Sequence, residues 1–274
     1  SDHGGGLTDM HASSSLHKDD GDNIYPFFDF FKKVPDKIIR WDNIKQNRKN
    51  FINLSPTLPI IKLKHKKREG VNCSVIFFEH LKYALKFNNG PTLEQNIKIF
   101  DELIQFVNSL DSEIKTKVKF RVKDTFLKNE GYNFENKFLE VFGKNSIDKA
   151  SFKNPFEKVI FNSKLMIMTY PQTAFSEAMY CNIPTILITK KHFWRFSKIA
   201  ADTFDDLKNS KIAFENFDEA KVHINENWSN LNLWWESEDV QSARKIFLMR
   251  FFNVKKDWDK EWFDYIYYFS SSFK

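Results

Sequence analysis

The sequence predicts an α/β protein built on a parallel, doubly wound sheet. Two short apolar runs, Leu165–Met168 and Thr185–Ile188, contain no polar break, which is typical of strands buried on both faces. Between them, Pro171 stops the first strand, and Thr173 can cap a helix that begins near Ala174. Two parallel strands joined by a helix form one unit of such a sheet.

Further strands and helices follow from the same kinds of pattern along the chain. Strands are predicted at Lys37–Trp41, Phe51–Leu54, Val71–Phe78, Lys117–Val122 and Lys211–Phe214. Helices are predicted at Glu94–Leu110, Asn133–Phe142, Arg195–Lys208 and Phe217–Trp228. Two apolar stripes at helical spacing predict two more core-facing helices near the C-terminal end. Their members are Val240, Ala243, Phe247 and Phe251 in the first stripe, and Trp258, Trp262, Ile266 and Phe269 in the second.

The composition favours a folded protein and argues against a nucleic-acid partner. Hydrophobic residues make up 42% of the 274 and aromatic residues 16%, with 8 Gly and 8 Pro, so a sizeable core is available. The net charge is +6, but 36 acidic residues accompany the 42 basic ones, and the charge is spread out. The densest basic cluster, 62–68, is interpreted as a solvated linker, with contact to an acidic glycolipid or a membrane as the alternative.

Cysteine and hydropathy patterns indicate a chain kept in a reducing compartment. Cys73 and Cys181 lie far apart in apolar surroundings, which predicts two buried free thiols rather than a disulfide or a metal site. No apolar run approaches the ~20 residues of a transmembrane helix, and no signal peptide is visible. Because the chain opens on a glycine loop without an initiator Met, we expect a fragment that lacks an N-terminal part.

The turn before the helix at Ala174 is the best candidate for a binding site. A helix N-terminus that follows a parallel strand presents free N–H groups to a phosphate, and the Thr173 and Ser176 hydroxyls add donors. Glu177, one turn into the helix, can accept hydrogen bonds from a sugar diol. The alternative is structural: Thr173 only caps the helix, and Glu177 only offsets its dipole.

Four motifs in a fixed order carry a resemblance to a known family. They are H-G-G-G at 3–6, T-A-F-S-E-A-M at 173–179, N-I-P-T at 182–185, and W-W followed by V-Q-x-A-R at 234–244. Together they resemble bacterial surface-carbohydrate glycosyltransferases of the capsule and lipopolysaccharide type, which have the GT-B fold and are distantly similar to Kdo transferases. The resemblance covers most of the chain, although each motif alone is weak.

The resemblance implies an architecture with three parts. Residues 1–70 would be the tail of an N-terminal, acceptor-side domain and a hinge. Residues 71–235 would be a Rossmann-like domain that binds a nucleotide sugar. Residues 236–274 would be C-terminal helices that pack back on the first domain.

The resemblance also implies an activity and its residues. The enzyme would move a sugar from a nucleotide-activated donor to a surface glycan or glycolipid, in the cytoplasm at the inner face of the inner membrane. It would need no metal or other cofactor, and CMP-Kdo is the donor of its distant relatives. The implied catalytic residues are His3 and Glu177. The implied donor-binding residues are Gly4, Gly5, Glu79, Arg121, Gln172, Thr173, Ser176 and Glu177.

Several of these assignments have a physical reason and an alternative. Glycines such as Gly4 and Gly5 allow close approach of the backbone to a ligand, and His3 can serve as an acid or base. Arg121 near a strand end can bind a phosphate or carboxylate through two hydrogen bonds, or can pair with a nearby carboxylate of the protein. Two other functions remain open: a sugar-nucleotide epimerase or hydrolase on the same fold, and a non-catalytic basic binding module.

Overall fold

The computed structural model describes residues 37–41, 43, 51–63, 70–78, 90–122, 132–151, 153–194, 196 and 198–271. The strands are β1 (Ile38–Arg40), β2 (Phe51–Asn53), β3 (Asn72–Phe77), β4 (Val118–Val122), β5 (Ser163–Met168), β6 (Thr185–Ile188) and β7 (Ala213–Phe214). The α-helices are α1 (Ile60–Leu63), α2 (Leu93–Ser109), α3 (Ser112–Lys117), α4 (Phe134–Phe142), α5 (Phe156–Asn162), α6 (Thr173–Tyr180), α7 (Lys198–Asn209), α8 (Phe217–Asn227), α9 (Leu231–Trp235), α10 (Glu238–Phe251) and α11 (Trp258–Ser271).

The central sheet has five parallel strands in the order β4-β3-β5-β6-β7. In the register, Val75 of β3 pairs with Phe120 on one side and with Ile167 on the other. The chain therefore moves from β3 to one neighbour, β4, and then returns to the opposite side for β5. In such sheets ligands bind outside the carboxyl ends of the strands at this change of direction.

Both faces of the sheet are covered, which explains the apolar strands. Along β3, Cys73, Val75 and Phe77 enter one core with α2, α3, α4 and α8. Ile76 enters the other core, with α5, α6, α7 and α10. The predicted doubly wound α/β sheet is confirmed, and every predicted strand and helix is present within a few residues of its expected bounds.

Two expectations about the helices need correction. Four short helices, α1, α3, α5 and α9, were not predicted from the sequence, since helices of 4, 6, 7 and 5 residues are too short to show a clear period. The first aromatic stripe is buried in α10 as expected, but the second is not a core stripe, because Ile266 in α11 is 58% exposed. The other three members of that stripe, Trp258, Trp262 and Phe269, are only partly buried.

The helix α11 contacts the small parallel sheet formed by β1 and β2. The backbone N–H and the hydroxyl of Ser55, which follows β2, donate to Glu261 Oε2 at 3.0 and 2.8 Å. Trp262 Nε1 donates to the Ser55 carbonyl at 2.7 Å. Trp41, after β1, packs edge-on against Phe252 with ring centroids 6.1 Å apart. The C-terminal segment thus contacts the residues that follow β1 and β2, while the three domain boundaries stay predictions.

Three general features complete the fold. Cys73 and Cys181 are buried and form no disulfide, as predicted, and burial raises the pKa of Cys73 to about 12. Within the described ranges, no helix is both long enough and apolar enough to cross a bilayer. In that same part of the chain, no three His, Cys, Asp or Glu side chains are grouped so that they could hold a metal ion.

Candidate functional site

The turn after β5 places the N-terminus of α6 at the carboxyl edge of the sheet. Thr169 binds the Ile76 carbonyl of β3 twice, through its N–H and its hydroxyl, each at 3.2 Å. The next residues then leave the sheet, and α6 begins at Thr173. The predicted helix is confirmed, but the predicted cap is wrong. Gln172 is the N-cap residue, without a side-chain cap hydrogen bond, and Thr173 is the first helical residue.

A pocket of about 300 Å³ lies at this edge, where β3, β4 and β5 end. It is therefore at the change of strand direction, where doubly wound sheets bind ligands. Its polar lining residues are Arg121, Tyr170, Gln172, Thr173 and Glu177. Its apolar lining residues are Ile76, Val122, Ala150, Phe156 and Ala174.

Arg121 supplies a fixed positive charge to the pocket. Its side chain, on β4, is only 10% exposed; Nη2 donates to the Asn154 carbonyl at 3.1 Å, and Nη1 lies 3.5 Å from Asp148 Oδ2. The guanidinium group also lies over the Phe156 ring, 5.8 Å from its centroid. Nη1 is buried and has no hydrogen-bond partner among the described residues. The structural interpretation therefore applies, since Arg121 pairs with a carboxylate of the protein, and binding of a ligand phosphate by Arg121 stays a prediction.

Glu177 is the second ionisable group of the lining. Burial, followed by the negative charge of Glu157 on α5, raises the pKa of Glu177 to about 8. Burial also raises the pKa of Tyr170, with a further increase from Glu177 and an opposing effect of Arg121. At neutral pH Glu177 is therefore mostly protonated. Strongly shifted groups in a cleft are typical of functional sites.

The structure brings together four of the residues that were predicted from the sequence. Arg121, Gln172, Thr173 and Glu177 line one pocket. Ser176 does not line it: its hydroxyl is fully buried, without a hydrogen-bond partner among the described residues. The reason is helical geometry, since neighbouring residues on a helix differ by about 100° in direction. The predicted residues His3, Gly4, Gly5 and Glu79 lie outside the described residues.

Besides the small and aliphatic lining residues, four side chains of the site were not predicted from the sequence. Tyr170 and Phe156 line the pocket, Asp148 pairs with Arg121, and Glu157 perturbs Glu177. Tyr170 could have been predicted from the sequence, because it lies two residues after a buried strand, at the edge of the sheet where ligands bind. The other three come from the connection between β4 and β5. Nothing local in the sequence shows that this connection folds over the pocket.

A family comparison decides what kind of protein this is. A profile described as LIC12162 family transferase matches residues 28–266. The chain belongs to the LIC12162 transferase family. No protein of curated function matches this LIC12162 family member in a sequence comparison.

Solved structures support the fold of this LIC12162 family transferase. A point mutant of S. aureus TarM, in complex with Fondaparinux, alpha-GlcNAc-glycerol and UDP, is similar with a TM-score of 0.50 and 12% identity. The match covers 90% of this chain and 48% of TarM, so the chain spans about half the length of TarM. The likeness shows the fold alone, and it confirms the GT-B-like α/β architecture.

Two other solved structures are similar at lower TM-scores. A point mutant of the wall teichoic acid polymerase TagF, solved with CDPG, has a TM-score of 0.44 and 11% identity, over 86% of this chain and 58% of TagF. WaaG, a glycosyltransferase involved in lipopolysaccharide biosynthesis, has a TM-score of 0.42 and 13% identity, over 86% of this chain and 67% of WaaG.

Proposed function

We propose that this LIC12162 family transferase is a glycosyltransferase whose pocket at the ends of β3, β4 and β5 binds a nucleotide-activated sugar. One observation carries the proposal. The buried cation of Arg121, the N-terminus of α6 and the carboxyl group of Glu177 line the same pocket of about 300 Å³. This combination matches the chemistry of a nucleotide sugar, which presents a phosphate next to sugar hydroxyl groups.

The phosphate would be held from two sides. The first N–H groups of a helix have no partner within the helix and carry a partial positive charge, so the start of α6 at Thr173 attracts an anion. Arg121 faces the same space, and its buried Nη1 can donate a charge-assisted hydrogen bond to a phosphate oxygen. Fixed donors of this kind stabilise the negative charge that develops on a leaving phosphate, which would be their part in catalysis.

Glu177 would bind the sugar hydroxyls next to that phosphate. It lies one turn after Thr173 on α6, so both face the pocket. In its protonated form a carboxyl group donates one hydrogen bond and accepts others, and in its ionised form it only accepts. Because the pKa of Glu177 is raised to about 8, both forms are accessible near neutral pH.

The same proposal extends to the donor, the acceptor and the predicted residues near the N-terminus. The donor we propose to test first is CMP-Kdo, because the resemblance to Kdo transferases suggests it, with UDP as the alternative nucleotide because TarM was solved with UDP. The acceptor would be a surface glycan or glycolipid at the inner membrane. His3 is the proposed acid or base, Gly4 and Gly5 the proposed close backbone contact, and Glu79 a further donor-binding residue. Capsule or lipopolysaccharide biosynthesis is the proposed context.

A thermal-shift panel of CMP, UDP, GDP and CMP-Kdo, each with and without magnesium, tests the proposal. A ligand that binds only the native state at ~100 times its Kd adds about 2.7 kcal/mol of stability. At about 2–4 °C per kcal/mol for a chain of this size, we expect a rise in Tm of several degrees with one nucleotide. Product analysis with that donor then separates transfer to an acceptor from epimerisation or hydrolysis.

Two variants place the binding site. Glu177→Ala should weaken nucleotide binding by about 0.5–1.5 kcal/mol, the range for neutral hydrogen bonds, and Arg121→Met by about 1.5–3 kcal/mol, the range for hydrogen bonds to charged groups. Glu226→Ala, exposed on α8, and Arg250→Met, on α10, are matched controls that should bind like the wild type. Unchanged affinity in a folded Glu177→Ala and a folded Arg121→Met would exclude this pocket as the donor site. A wild type that no nucleotide stabilises would contradict the proposed donor class.

A further inference from the structure

The site helix α6 has only eight residues, and its two ends have different surroundings. Its N-terminal end lines the pocket through Thr173, Ala174 and Glu177. Its C-terminal end is about 12 Å away, at 1.5 Å for each residue, and is buried under α9 and α10. A helix of eight residues moves as a rigid unit, so contacts that hold its C-terminal end also set the position of its N-terminal end.

Arg244 on α10 binds the C-terminal end of α6 directly. Its Nε donates to the Met179 carbonyl at 2.6 Å, and Nη2 donates to the Tyr180 carbonyl at 3.4 Å. The last carbonyl groups of a helix have no partner within the helix, and a positive charge there is favourable for the helix dipole. Arg244 is 8% exposed, so this interaction is shielded from water.

Asn182 continues the contact just after the helix. Its φ of 56° is left-handed, a conformation that asparagine adopts at helix ends. Trp235 Nε1 donates to Asn182 Oδ1 at 2.8 Å and to the Asn182 carbonyl at 3.1 Å. Gln241 Nε2 donates to Asn182 Oδ1 at 3.1 Å and to the Trp235 carbonyl at 2.7 Å, while Arg244 Nη1 donates to Gln241 Oε1 at 3.1 Å.

We propose that Asn182, Trp235, Gln241 and Arg244 form a clamp that positions α6 for donor binding, with Arg244 as the main positioning residue. The inference rests on the proposed function, and it assigns a role to the V-Q-x-A-R motif and to the second Trp of W-W. These residues do not line the pocket. They act on the donor through Thr173 and Glu177 at the far end of α6.

The packing of α6 on α10 supports this role. Phe175 on α6 meets Phe247 on α10 edge-on, with ring centroids 5.1 Å apart, and both rings are fully buried. Apolar packing alone allows a helix to slide or rotate by small amounts, because it is not directional. The hydrogen bonds of the clamp are directional, so they define where α6 stops along its axis. Small displacements at binding groups are costly, since such groups must be held within about 0.5 Å.

The test compares Arg244→Met with Arg250→Met, which lies on the same helix. Arg250 Nη1 donates to Thr203 Oγ1 at 2.6 Å and lies 3.6 Å from Asp206 Oδ2, so its loss removes similar contacts with α7 rather than α6. We expect Arg244→Met to weaken binding of the stabilising nucleotide by about 2- to 30-fold, the range for coupling through packed elements, and Arg250→Met to leave it unchanged. Arg244→Lys keeps the positive charge but lacks the planar guanidinium group that binds Met179, Tyr180 and Gln241 together. The nucleotide affinity of this variant should therefore lie between those of Arg244→Met and Arg250→Met.

A second measurement does not depend on any nucleotide. NMR of the 13C-labelled protein can follow the titration of the Glu177 side-chain carboxyl carbon. The midpoint of this titration depends on the ionisable groups near Glu177, which are Arg121 on β4, Glu157 on α5 and Tyr170 after β5. We expect the midpoint to shift in Arg244→Met and to stay near that of the wild type in Arg250→Met. If Arg244→Met does not fold, Gln241→Met can replace it, because this variant loses the hydrogen bond from Gln241 to Asn182. It should show a smaller loss of nucleotide affinity and a smaller shift of the Glu177 midpoint.

The outcomes separate the two proposals. Wild-type nucleotide affinity together with an unmoved Glu177 midpoint in the folded clamp variants overturns the clamp, whatever the nucleotide panel shows. Equal loss of affinity in Arg244→Met and Arg250→Met also overturns it, because the effect would then be general loss of stability. A shifted Glu177 midpoint in a protein that binds no nucleotide supports the clamp and contradicts the proposed donor class.

Discussion

At the scale of single residues, Glu177 combines a role in the pocket with an unusual ionisation. Its pKa is raised to about 8 by burial and then by Glu157. Its ordinary value is 4.5, so between these values the folded protein holds a proton that the unfolded chain releases. The contribution of Glu177 to stability is therefore fully present below pH 4.5 and is lost as the pH rises towards 8.

We therefore predict that Glu177→Gln changes the pH dependence of stability. Between pH 6.5 and 8 the wild type should lose up to about 1.4 kcal/mol for each pH unit relative to the variant, which cannot ionise there. His223 does not interfere, because burial and then Lys211 lower its pKa to about 4, so it titrates below this pH window. Melting temperatures of both proteins across this window measure the difference. Parallel curves would show that Glu177 titrates normally.

At the scale of elements, the clamp around Asn182 explains why two tryptophans stand side by side in α9. Trp235 is 2% exposed and binds Asn182, while Trp234 donates from Nε1 to the Ser210 carbonyl at 3.2 Å. The two indole rings are 5.3 Å apart. The helix α9 has only five residues, so side-chain contacts rather than its own backbone hydrogen bonds hold it in place.

Trp235→Ala should consequently destabilise the protein by about 3–5 kcal/mol, the range for removal of a buried Trp. Trp235→Phe keeps most of the apolar contact and loses the hydrogen bonds of Nε1, so we expect about 1–3 kcal/mol for the acceptors left behind. Leu233→Ala is the control, since Leu233 lies on the same helix and is 77% exposed. Urea unfolding measures all three. An unshifted midpoint for Trp235→Ala would contradict a packing role.

At the scale of the whole molecule, the carboxyl group of Glu261 helps to join α11 to the segment that follows β2. Glu261 accepts two hydrogen bonds from Ser55 and pairs with Lys255. Burial, the largest single effect, would raise the pKa of Glu261, but the hydrogen bonds from Lys255 and Ser55 together outweigh it and lower the pKa. The stability from this group is therefore present above its ordinary value and is lost as pH falls below that value.

Glu261→Gln should destabilise the protein at neutral pH by about 1–3 kcal/mol, because it weakens hydrogen bonds to a charged acceptor. The difference from the wild type should shrink as pH falls below the ordinary value of 4.5, because the unfolded chain then gains a proton at Glu261 that the folded protein takes up only at lower pH. Asp259→Asn, exposed in the first turn of α11, is the matched control. Denaturant titrations at neutral pH and at about pH 4 test this, and a difference of equal size at both values would argue against the charged contact.

Elements and their order could be predicted from the sequence because their causes are local. The apolar run Thr185–Ile188 is a strand because every side chain in it is buried, and Pro171 ends the preceding strand whatever lies around it. The first stripe of α10 has the helical period, so its burial followed as well. The second stripe failed as a core prediction, because periodicity shows that a helix has an apolar side and not what covers it.

The sequence by itself determined the parallel doubly wound sheet, the site helix α6 and the placement of Thr173 and Glu177 at the edge where such sheets bind ligands. The resemblance places Arg121 among the donor-binding residues, and only the tertiary structure decided that Asp148 and Asn154 hold its side chain beside the pocket, because these contacts are long-range. It also decided that Glu157 raises the pKa of Glu177, that Ser176 is buried, and that Arg244 binds the end of α6. These properties depend on burial and on charges brought together from distant parts of the chain, which local patterns do not encode.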